Sequence, residues 1–299
     1  MHRWYGSVPG HVVVCHWRLE KAAMIYLQPE VASAYGEDTF WTWAKREFPK
    51  STFAEPTSLN DEDIIFQYSV LGAPKVPGKS LALCWEMYPL MKEALGSNEW
   101  DEKIARCFDA AKNCTYRAVG SWVTEHWYEE YGPVMKIPVG VDTDLFKPLY
   151  NKFNLRKKYN LPLYETIGIW LGTSHPMKGY RYLAEYAAAH PYVHWITVTY
   201  SSPIFMPGAT RFQSIDQVTY NELLNAADFY LSTSQLQPFF MCEWEALASD
   251  TKMILAGVEP KEFTPGNRPR KQVFDIGWDR HSLKKTLVDF LDGIGVEWQ

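Results

Sequence analysis

Short, mainly apolar runs alternate with amphipathic helical patterns along most of this chain, and this alternation constrains the fold more than any other feature. Asp63–Val70 and Ser80–Trp85 are runs of strand length, and Glu99–Asn113 has a helical pattern. Buried parallel strands have continuous apolar sequences because helices cover both faces of their sheet. An α/β fold with parallel sheets is therefore predicted. Further strands are predicted at Val12–Cys15, Ala23–Leu27, Tyr116–Gly120, Ile167–Leu171, Trp195–Thr199, Thr210–Gln213, Phe229–Thr233, Met253–Ala256 and Val273–Ile276. Further helices are predicted at Glu37–Phe48, Trp122–Tyr131, Tyr180–Ala189, Tyr220–Ala227, Pro238–Ala248 and His281–Leu291.

A break in composition divides this pattern into two sets. The segment Lys136–Pro148 (KIPVGVDTDLFKP) contains prolines towards both ends and few residues that favour a helix. We predict an N-terminal Rossmann-like domain at residues 1–138, a linker at 139–148 and a C-terminal Rossmann-like domain at 149–299. Ligands bind at the carboxyl ends of the strands in such sheets, so a site is expected in the cleft between two facing domains.

Composition narrows the class of protein. The net charge of −5 gives no general attraction to nucleic acid or to anionic membranes. No apolar run approaches the roughly 20 residues of a membrane-spanning helix, and the N-terminus lacks the apolar segment of a signal peptide. The five cysteines have no Cys-x-x-Cys spacing, which favours reduced thiols in a cytoplasmic protein. There is also no P-loop and no Gly-x-Gly-x-x-Gly, Gly-x-Ser-x-Gly or His-Glu-x-x-His motif.

The segment Ser234–Ala256 carries the most specific functional signal. It reads as a loop, a helix and a strand, with Gln237 and Glu245 eight residues apart on or beside the helix. Loop amides at a helix N-terminus bind anions, and a carboxylate two turns into the helix can accept hydrogen bonds from two vicinal hydroxyls. A nucleotide sugar presents both a diphosphate and a ribose diol. The segment therefore predicts a sugar-nucleotide site.

Three segments also carry a family resemblance: VGVDTDLFKP at 139–148, GTSHPMKGYRYL at 172–183 and QPFFMCEWEALAS at 237–249. In order and spacing they resemble the interdomain segment NGVDTDLFKP, the Gly-Arg-x-x-x-x-Lys-Gly turn and the Glu-x7-Glu motif (as in EPFGLVVLEALAC) of retaining, family-4-type glycosyltransferases (glycosyl transferases group 1). The resemblance implies the GT-B fold, in which two Rossmann-like domains face each other across a cleft. It also implies metal-independent sugar transfer with retention of configuration.

The resemblance gives roles to residues of the donor site. Glu245 matches the second Glu, which accepts hydrogen bonds from the ribose hydroxyls, and Lys178 matches the lysine that pairs with the donor diphosphate. Gln237 replaces the first Glu, which contacts the transferred hexose, so hydrogen bonding is kept there without negative charge. Phe239 and Phe240 follow, and Phe240 replaces a Gly that is common in the family. This side chain narrows the hexose pocket or packs beneath it.

The turn after the strand Ile167–Leu171 departs from the family at one position. Thr173 replaces the Arg, which removes a bidentate clamp on phosphate. Gly172 and Gly179 allow backbone and phosphate to approach closely. Possible replacements for the missing clamp are Thr173 itself, Ser174, His175, Arg211 and Arg280.

The acceptor side has weaker signals. Glu86 is the only carboxylate in LCWEMYP (83–89), where the family often has a His, and it is a candidate contact to the sugar or acceptor. Ser121, after the strand Tyr116–Gly120, is a second candidate. His126 is interpreted as structural, and Glu243 as a surface residue.

The sequence thus predicts a retaining hexosyltransferase that uses a UDP- or GDP-linked donor, needs no cofactor or metal, and has Gln237, Lys178 and Glu86 as candidate catalytic residues. The acceptor is a glycan, a small molecule or modified DNA. Two alternatives stay open. Gln237 and Thr173 also fit a degenerate protein that binds sugar nucleotides or glycans without turnover. The basic stretch at 152–158 (KFNLRKK) is the one local feature that favours a phage-type glucosyltransferase acting on modified bases in DNA.

Overall fold

The computed structural model describes residues 24–28, 43–53, 56–86, 88–120, 122–137, 140–173, 176–199, 206–235, 241–256 and 279–296. Within these ranges the chain forms two parallel sheets, of six and five strands, with helices between most pairs of successive strands. The α/β class and the parallel sheets predicted from the alternating pattern are confirmed.

The first sheet has the strand order β2-β1-β3-β4-β5-β6, and all its pairings are parallel. Its strands are β1 (Ile25–Gln28), β2 (Ser51–Thr52), β3 (Ile64–Tyr68), β4 (Lys79–Cys84), β5 (Tyr116–Val119) and β6 (Val134–Lys136). The helices are α1 (described at residues 43–47), α2 (Tyr88–Leu95), α3 (Asp101–Asn113) and α4 (Trp122–Glu125). β3 and β4 are buried almost throughout, so their sequences lack the polar alternation of a half-exposed strand.

The second sheet has the order β11-β10-β7-β8-β9 and is also entirely parallel. Its strands are β7 (Thr166–Leu171), β8 (Val193–Thr199), β9 (Thr210–Gln213), β10 (Phe229–Ser232) and β11 (Lys252–Leu255). The helices are α5 (Lys152–Lys158), α6 (Tyr180–Ala189), α7 (Gln217–Ala226), α8 (Met241–Ala248) and α9 (Arg280–Gly293). A Cβ on Gly168, in the central strand β7, would lie 2.7 Å from the rings of Phe229 and Trp195. Only glycine fits between these rings.

The final helix α9 returns to the first sheet. Asp279 caps its start by accepting hydrogen bonds from the backbone amides of His281 and Ser282, at 3.0 and 3.1 Å. Farther along, the ring of Phe290 packs edge-to-face on Tyr116 of β5, with ring centroids 5.1 Å apart. Lys79, at the start of β4, donates a hydrogen bond to the carbonyl of Ile294 at 3.2 Å. These contacts join the end of the chain to the first half, while the proposed domain boundaries stay a prediction.

Some predicted elements differ from the observed ones. β6 was not predicted, because its three side chains are exposed or half-buried and produce no apolar run. The predicted helix Trp122–Tyr131 is divided into α4 and a 3₁₀ turn at Glu129–Tyr131. Between them, the amides of Trp127 and Tyr128 donate to carbonyls three residues earlier, which tightens the chain into turns. The predicted strands Val12–Cys15 and Val273–Ile276 lie outside the described residues. Among the described helices, none has the length and apolar character needed to span a bilayer.

Candidate functional site

Two loops meet at the carboxyl ends of β7 and β10, which are neighbouring strands. Thr233, directly after β10, donates a hydrogen bond from Oγ1 to the backbone carbonyl of Lys178 at 2.6 Å. The same hydroxyl accepts a hydrogen bond from Trp170 Nε1 at 2.7 Å. The backbone amide of Gln235 donates a hydrogen bond to the backbone carbonyl of Met177 at 2.7 Å. These bonds hold the 3₁₀ turn that ends at Lys178 against the loop after β10.

Two glycines allow this close packing. Gly179 has φ of +65°, and a Cβ there would lie 2.0 Å from the carbonyl oxygen of Thr233. No larger residue fits at this position. Gly172 is buried directly after β7, and a Cβ there would lie 2.5 Å from the ring of Trp170. Packing within the protein accounts for both glycines, and the predicted approach of a phosphate to them stays a prediction.

The half-buried side chain of Lys178 lies among acidic and thiol groups from both halves of the chain. Burial lowers the pKa of its ammonium, whereas Cys242, Glu86 and Glu243 each oppose this by favouring the charged form. Glu86 follows β4 of the first sheet and is itself half-buried. The fold therefore brings Lys178 and Glu86, two of the three candidate catalytic residues, into electrostatic contact.

Glu245 lies on α8, with 6% of its surface exposed. Burial raises the pKa of its carboxyl to about 7, and the nearby charge of Arg280 opposes that shift. Arg280 begins α9, is also buried, and forms an ion pair with Asp142 in which Nη1 and Oδ2 are 3.2 Å apart. A carboxyl with a pKa near neutral gains or loses a proton readily. A ligand group that donates hydrogen bonds to it therefore favours its ionised form.

Glu243 was predicted to be a surface residue, and this is wrong. Only 2% of it is exposed, and its Oε1 accepts a short hydrogen bond from the hydroxyl of Ser232. Burial raises the pKa of its carboxyl to about 8, while the Ser232 hydrogen bond and the charge of Lys178 oppose the shift. The prediction failed because α8 is buried from residue 243 to residue 248, so this helix has no exposed face in that stretch.

The remaining candidates fall into two groups. Of those described, Thr173 is half-buried, Arg211 is exposed on the edge strand β9, and His126 is exposed with its ring 5.2 Å from that of Trp127. Arg280 lies close enough to the buried carboxyl of Glu245 for their charges to interact. The candidates that lie outside the described residues are Gln237, Phe239, Phe240, Ser121, Ser174 and His175. Their roles stay predictions.

The chemistry available at this edge of the second sheet is that of an anion site next to hydrogen-bond acceptors. Lys178 supplies a positive charge in a region of reduced solvation, where its attraction for an anion is stronger than in water. Glu245 supplies carboxylate oxygens, which only accept hydrogen bonds when ionised. Across the described part of the chain, no three His, Cys, Asp or Glu side chains come together as a possible metal site.

The sequence matches no protein-family model and no curated protein. Solved structures are similar in fold. HepE from Anabaena in complex with UDP-glucose aligns with a TM-score of 0.62 and 11% identity, over 91% of this chain and 100% of that one. A glycosyltransferase from Rickettsia africae aligns with a TM-score of 0.59 and 14% identity, over 92% and 99% of the two chains. Sucrose-phosphate synthase from Thermosynechococcus elongatus aligns with a TM-score of 0.56 and 19% identity, over 77% and 69%. Together with the two parallel sheets, these similarities confirm the predicted GT-B fold.

Proposed function

We propose that this protein is a glycosyltransferase that moves a sugar from a nucleoside diphosphate to an acceptor hydroxyl, with retention of configuration and without a metal ion. The observation that carries the proposal is the placement of Lys178 and of a buried carboxylate on α8, Glu245, at one edge of the second sheet, where both interact electrostatically with Cys242. This edge is where ligands bind in open parallel sheets. The GT-B fold supports the same reading, because the similar HepE structure is a complex with UDP-glucose.

The donor would bind along this edge. Lys178 pairs with the diphosphate, because a compact ammonium suits phosphate oxygens. Glu245 accepts hydrogen bonds from the two ribose hydroxyls. Gln237, Phe239 and Phe240 face the transferred hexose in this proposal. A UDP-linked donor is favoured over a GDP-linked one, since HepE was solved with UDP, with UDP and glucose, and with UDP-glucose.

The transfer step breaks the bond between the anomeric carbon and the diphosphate oxygen. Lys178 stabilises the negative charge that develops on the leaving diphosphate. The acceptor hydroxyl attacks from the face that the diphosphate leaves, and a phosphate oxygen takes the hydroxyl proton. Retention then needs no protein nucleophile, which agrees with Gln in place of Glu at position 237. Glu86, close to Lys178 from the first half of the chain, is the candidate contact to the acceptor or sugar.

Isothermal titration calorimetry with UDP tests the donor site. Wild-type protein is expected to bind UDP, and both Glu245→Ala and Lys178→Met are expected to weaken binding at least about tenfold, since each removes an interaction with a charged group worth about 1.5–3 kcal/mol. Glu185→Ala, on the exposed face of α6, is the matched control and should bind like wild type. Equal affinity for UDP in wild type and Glu245→Ala would contradict the assignment.

A turnover assay distinguishes an enzyme from a degenerate binding protein, the alternative that Gln237 and Thr173 favour. An enzyme releases UDP from UDP-glucose in the presence of a suitable acceptor, keeps the anomeric configuration in the product, and is unaffected by a chelator. A binding protein takes up UDP-glucose and releases no UDP with any acceptor in a panel of glycans, small molecules and modified DNA.

The DNA acceptor gains no support from the basic stretch at 152–158. Lys152 and Arg156 both pair with Asp228, at 3.0 and 2.7 Å, and Lys158 pairs with Glu222. These cations already have carboxylate partners within the C-terminal half of the chain. Binding of phosphate groups there would have to break those pairs, so we do not favour DNA over a glycan or a small molecule.

A further inference from the structure

Glu243 is a buried carboxyl that the donor site proposed above does not use. Its Oε1 accepts the hydrogen bond from Ser232, whereas Oε2 is buried and has no hydrogen-bond partner among the described residues. A buried carboxylate with a single hydrogen bond is poorly stabilised as an anion. The raised pKa of about 8 is the expected consequence.

The same end of β10 holds both Glu243 and Lys178. Ser232, the last residue of β10, hydrogen-bonds to Glu243. The next residue, Thr233, hydrogen-bonds to the carbonyl of Lys178 at 2.6 Å. The charge of Lys178 lowers the pKa of the Glu243 carboxyl, and Glu243 raises the pKa of the Lys178 ammonium. The two groups therefore attract each other inside the protein.

The other titratable groups around this pair differ in protonation behaviour. Cys242, next to Glu243 on α8, is a neutral thiol at pH 8 because burial raises its pKa to about 12. Glu86, from the first half of the chain, affects the pair indirectly because it raises the pKa of the Lys178 ammonium. Glu245, also on α8, has a pKa of about 7 and faces the charge of Arg280. Of these acids, Glu243 is the one that shares the charge of Lys178 and titrates near pH 8.

We propose that Glu243 is a positioning residue for Lys178, and that its carboxyl takes up a proton from solvent when a nucleoside diphosphate binds. The inference rests on the proposed function. Without ligand, the ionised form of Glu243, which dominates above pH 8, attracts the ammonium of Lys178. A bound diphosphate takes over that ammonium and adds its own negative charge nearby. The buried carboxylate then loses its partner and is repelled, so protonation is its most favourable state.

The neighbouring motif agrees with this role. The family sequence EPFGLVVLEALAC has Val where this chain has Glu243. Compared with that motif, this chain has Gln in place of Glu at position 237 and Glu in place of Val at position 243. Proton uptake restores a neutral side chain at the second position while the diphosphate is bound.

Calorimetry of UDP binding at pH 8.0, in HEPES and in Tris buffer, measures this proton directly, because the two buffers differ in ionisation enthalpy and neither carries a phosphate group that would compete with UDP. Wild type should take up about half a proton, since a group with its pKa near 8 is half-protonated before binding. Glu243→Gln should take up almost none. From pH 7 to pH 9, wild-type affinity for UDP should fall about tenfold more than that of Glu243→Gln. Glu185→Gln, exposed on α6, should match wild type.

The outcomes separate this inference from the proposed function. UDP binding without proton uptake, or with the same uptake in Glu243→Gln as in wild type, overturns the inference and leaves the donor site intact. Failure of wild type to bind UDP overturns both. Should Glu243→Gln fail to fold, Ser232→Ala is the second variant. It removes the hydrogen bond that lowers the pKa of Glu243, so the pH of half-maximal uptake should move upward. No movement would overturn the inference.

Discussion

Replacing Glu245 with Gln should stabilise the protein at alkaline pH while weakening nucleotide binding. Glu245 has 6% of its surface exposed, and burial raises the pKa of its carboxyl from the ordinary 4.5 to about 7 in spite of the nearby Arg280. The folded protein therefore binds a proton at this position more tightly than the unfolded chain does. Gln has nearly the same shape and never ionises, so it removes the cost of a buried charge.

The sign and size of the effect follow from linkage between protonation and folding. Because the folded pKa is raised, the stabilising effect of the proton is fully present below pH 4.5 and is lost as the pH rises through 7. A shift of one pKa unit between the folded and unfolded states corresponds to about 1.4 kcal/mol. Compared with a side chain that never ionises, the raised pKa of Glu245 thus lowers the free energy of unfolding by about 1 kcal/mol at pH 5 and by about 3 kcal/mol at pH 8. Its contribution to the free energy of unfolding falls by about 2 kcal/mol over this range.

Urea denaturation at pH 5 and pH 8 measures the difference. The gain in unfolding free energy of Glu245→Gln over wild type should be about 2 kcal/mol larger at pH 8 than at pH 5. Glu185→Gln, on the exposed face of α6, should show the same difference from wild type at both pH values. A gain for Glu245→Gln that does not change between the two pH values would refute the reasoning, because a shape effect alone is independent of pH.

Two further substitutions test the packing that positions the site. Gly179→Ala should weaken UDP binding and lower stability, because its Cβ would lie 2.0 Å from the carbonyl oxygen of Thr233; Gly208→Ala is the control, since Gly208 also has positive φ but nothing within 4 Å. Equal effects of the two alanines on the urea midpoint and on UDP affinity would contradict this. Arg156→Met should cost about 3 kcal/mol of unfolding free energy, because the buried guanidinium donates hydrogen bonds to three backbone carbonyls and one carboxylate. The exposed Lys157→Met should change the free energy by less than about 0.5 kcal/mol, and a similar loss in both variants would argue against the network.

The fold was readable from the sequence because parallel strands buried on both faces leave a strong local signal. β3 and β7 are buried at nearly every position, so each appears as a continuous apolar run. Within segment 172–183, the structure accounts for the two glycines, because a Cβ at Gly172 or Gly179 would overlap neighbouring atoms. Gly179 is needed for contact with the loop after β10, whatever ligand binds there.

The burial of the charged groups at the site could not be predicted from the sequence in the same way. Glu243 and Glu245 are two residues apart on α8, and a single amphipathic helix would place them on different faces. The prediction accordingly gave one to the site and the other to the surface. Both are buried because neighbouring elements cover α8 from residue 243 to residue 248. That coverage depends on how α7, β10 and β11 pack around the helix, and no local pattern encodes it.

The concentration of buried ionisable groups at this edge argues for binding and against a structural role. Removing one partner of a buried structural ion pair costs several kcal/mol, because the other charge is left buried and unpaired. Lys178, Glu243 and Glu245 show the opposite arrangement, since burial disfavours the charged form of each more than its neighbours favour it. Such groups lower stability in the absence of ligand, and sites that bind ligands commonly carry this cost. A neutral substitution that raises stability and lowers affinity for UDP is therefore the result expected of a binding site. A structural network would lose stability on the same substitution, so the two measurements on Glu245→Gln together distinguish the two roles.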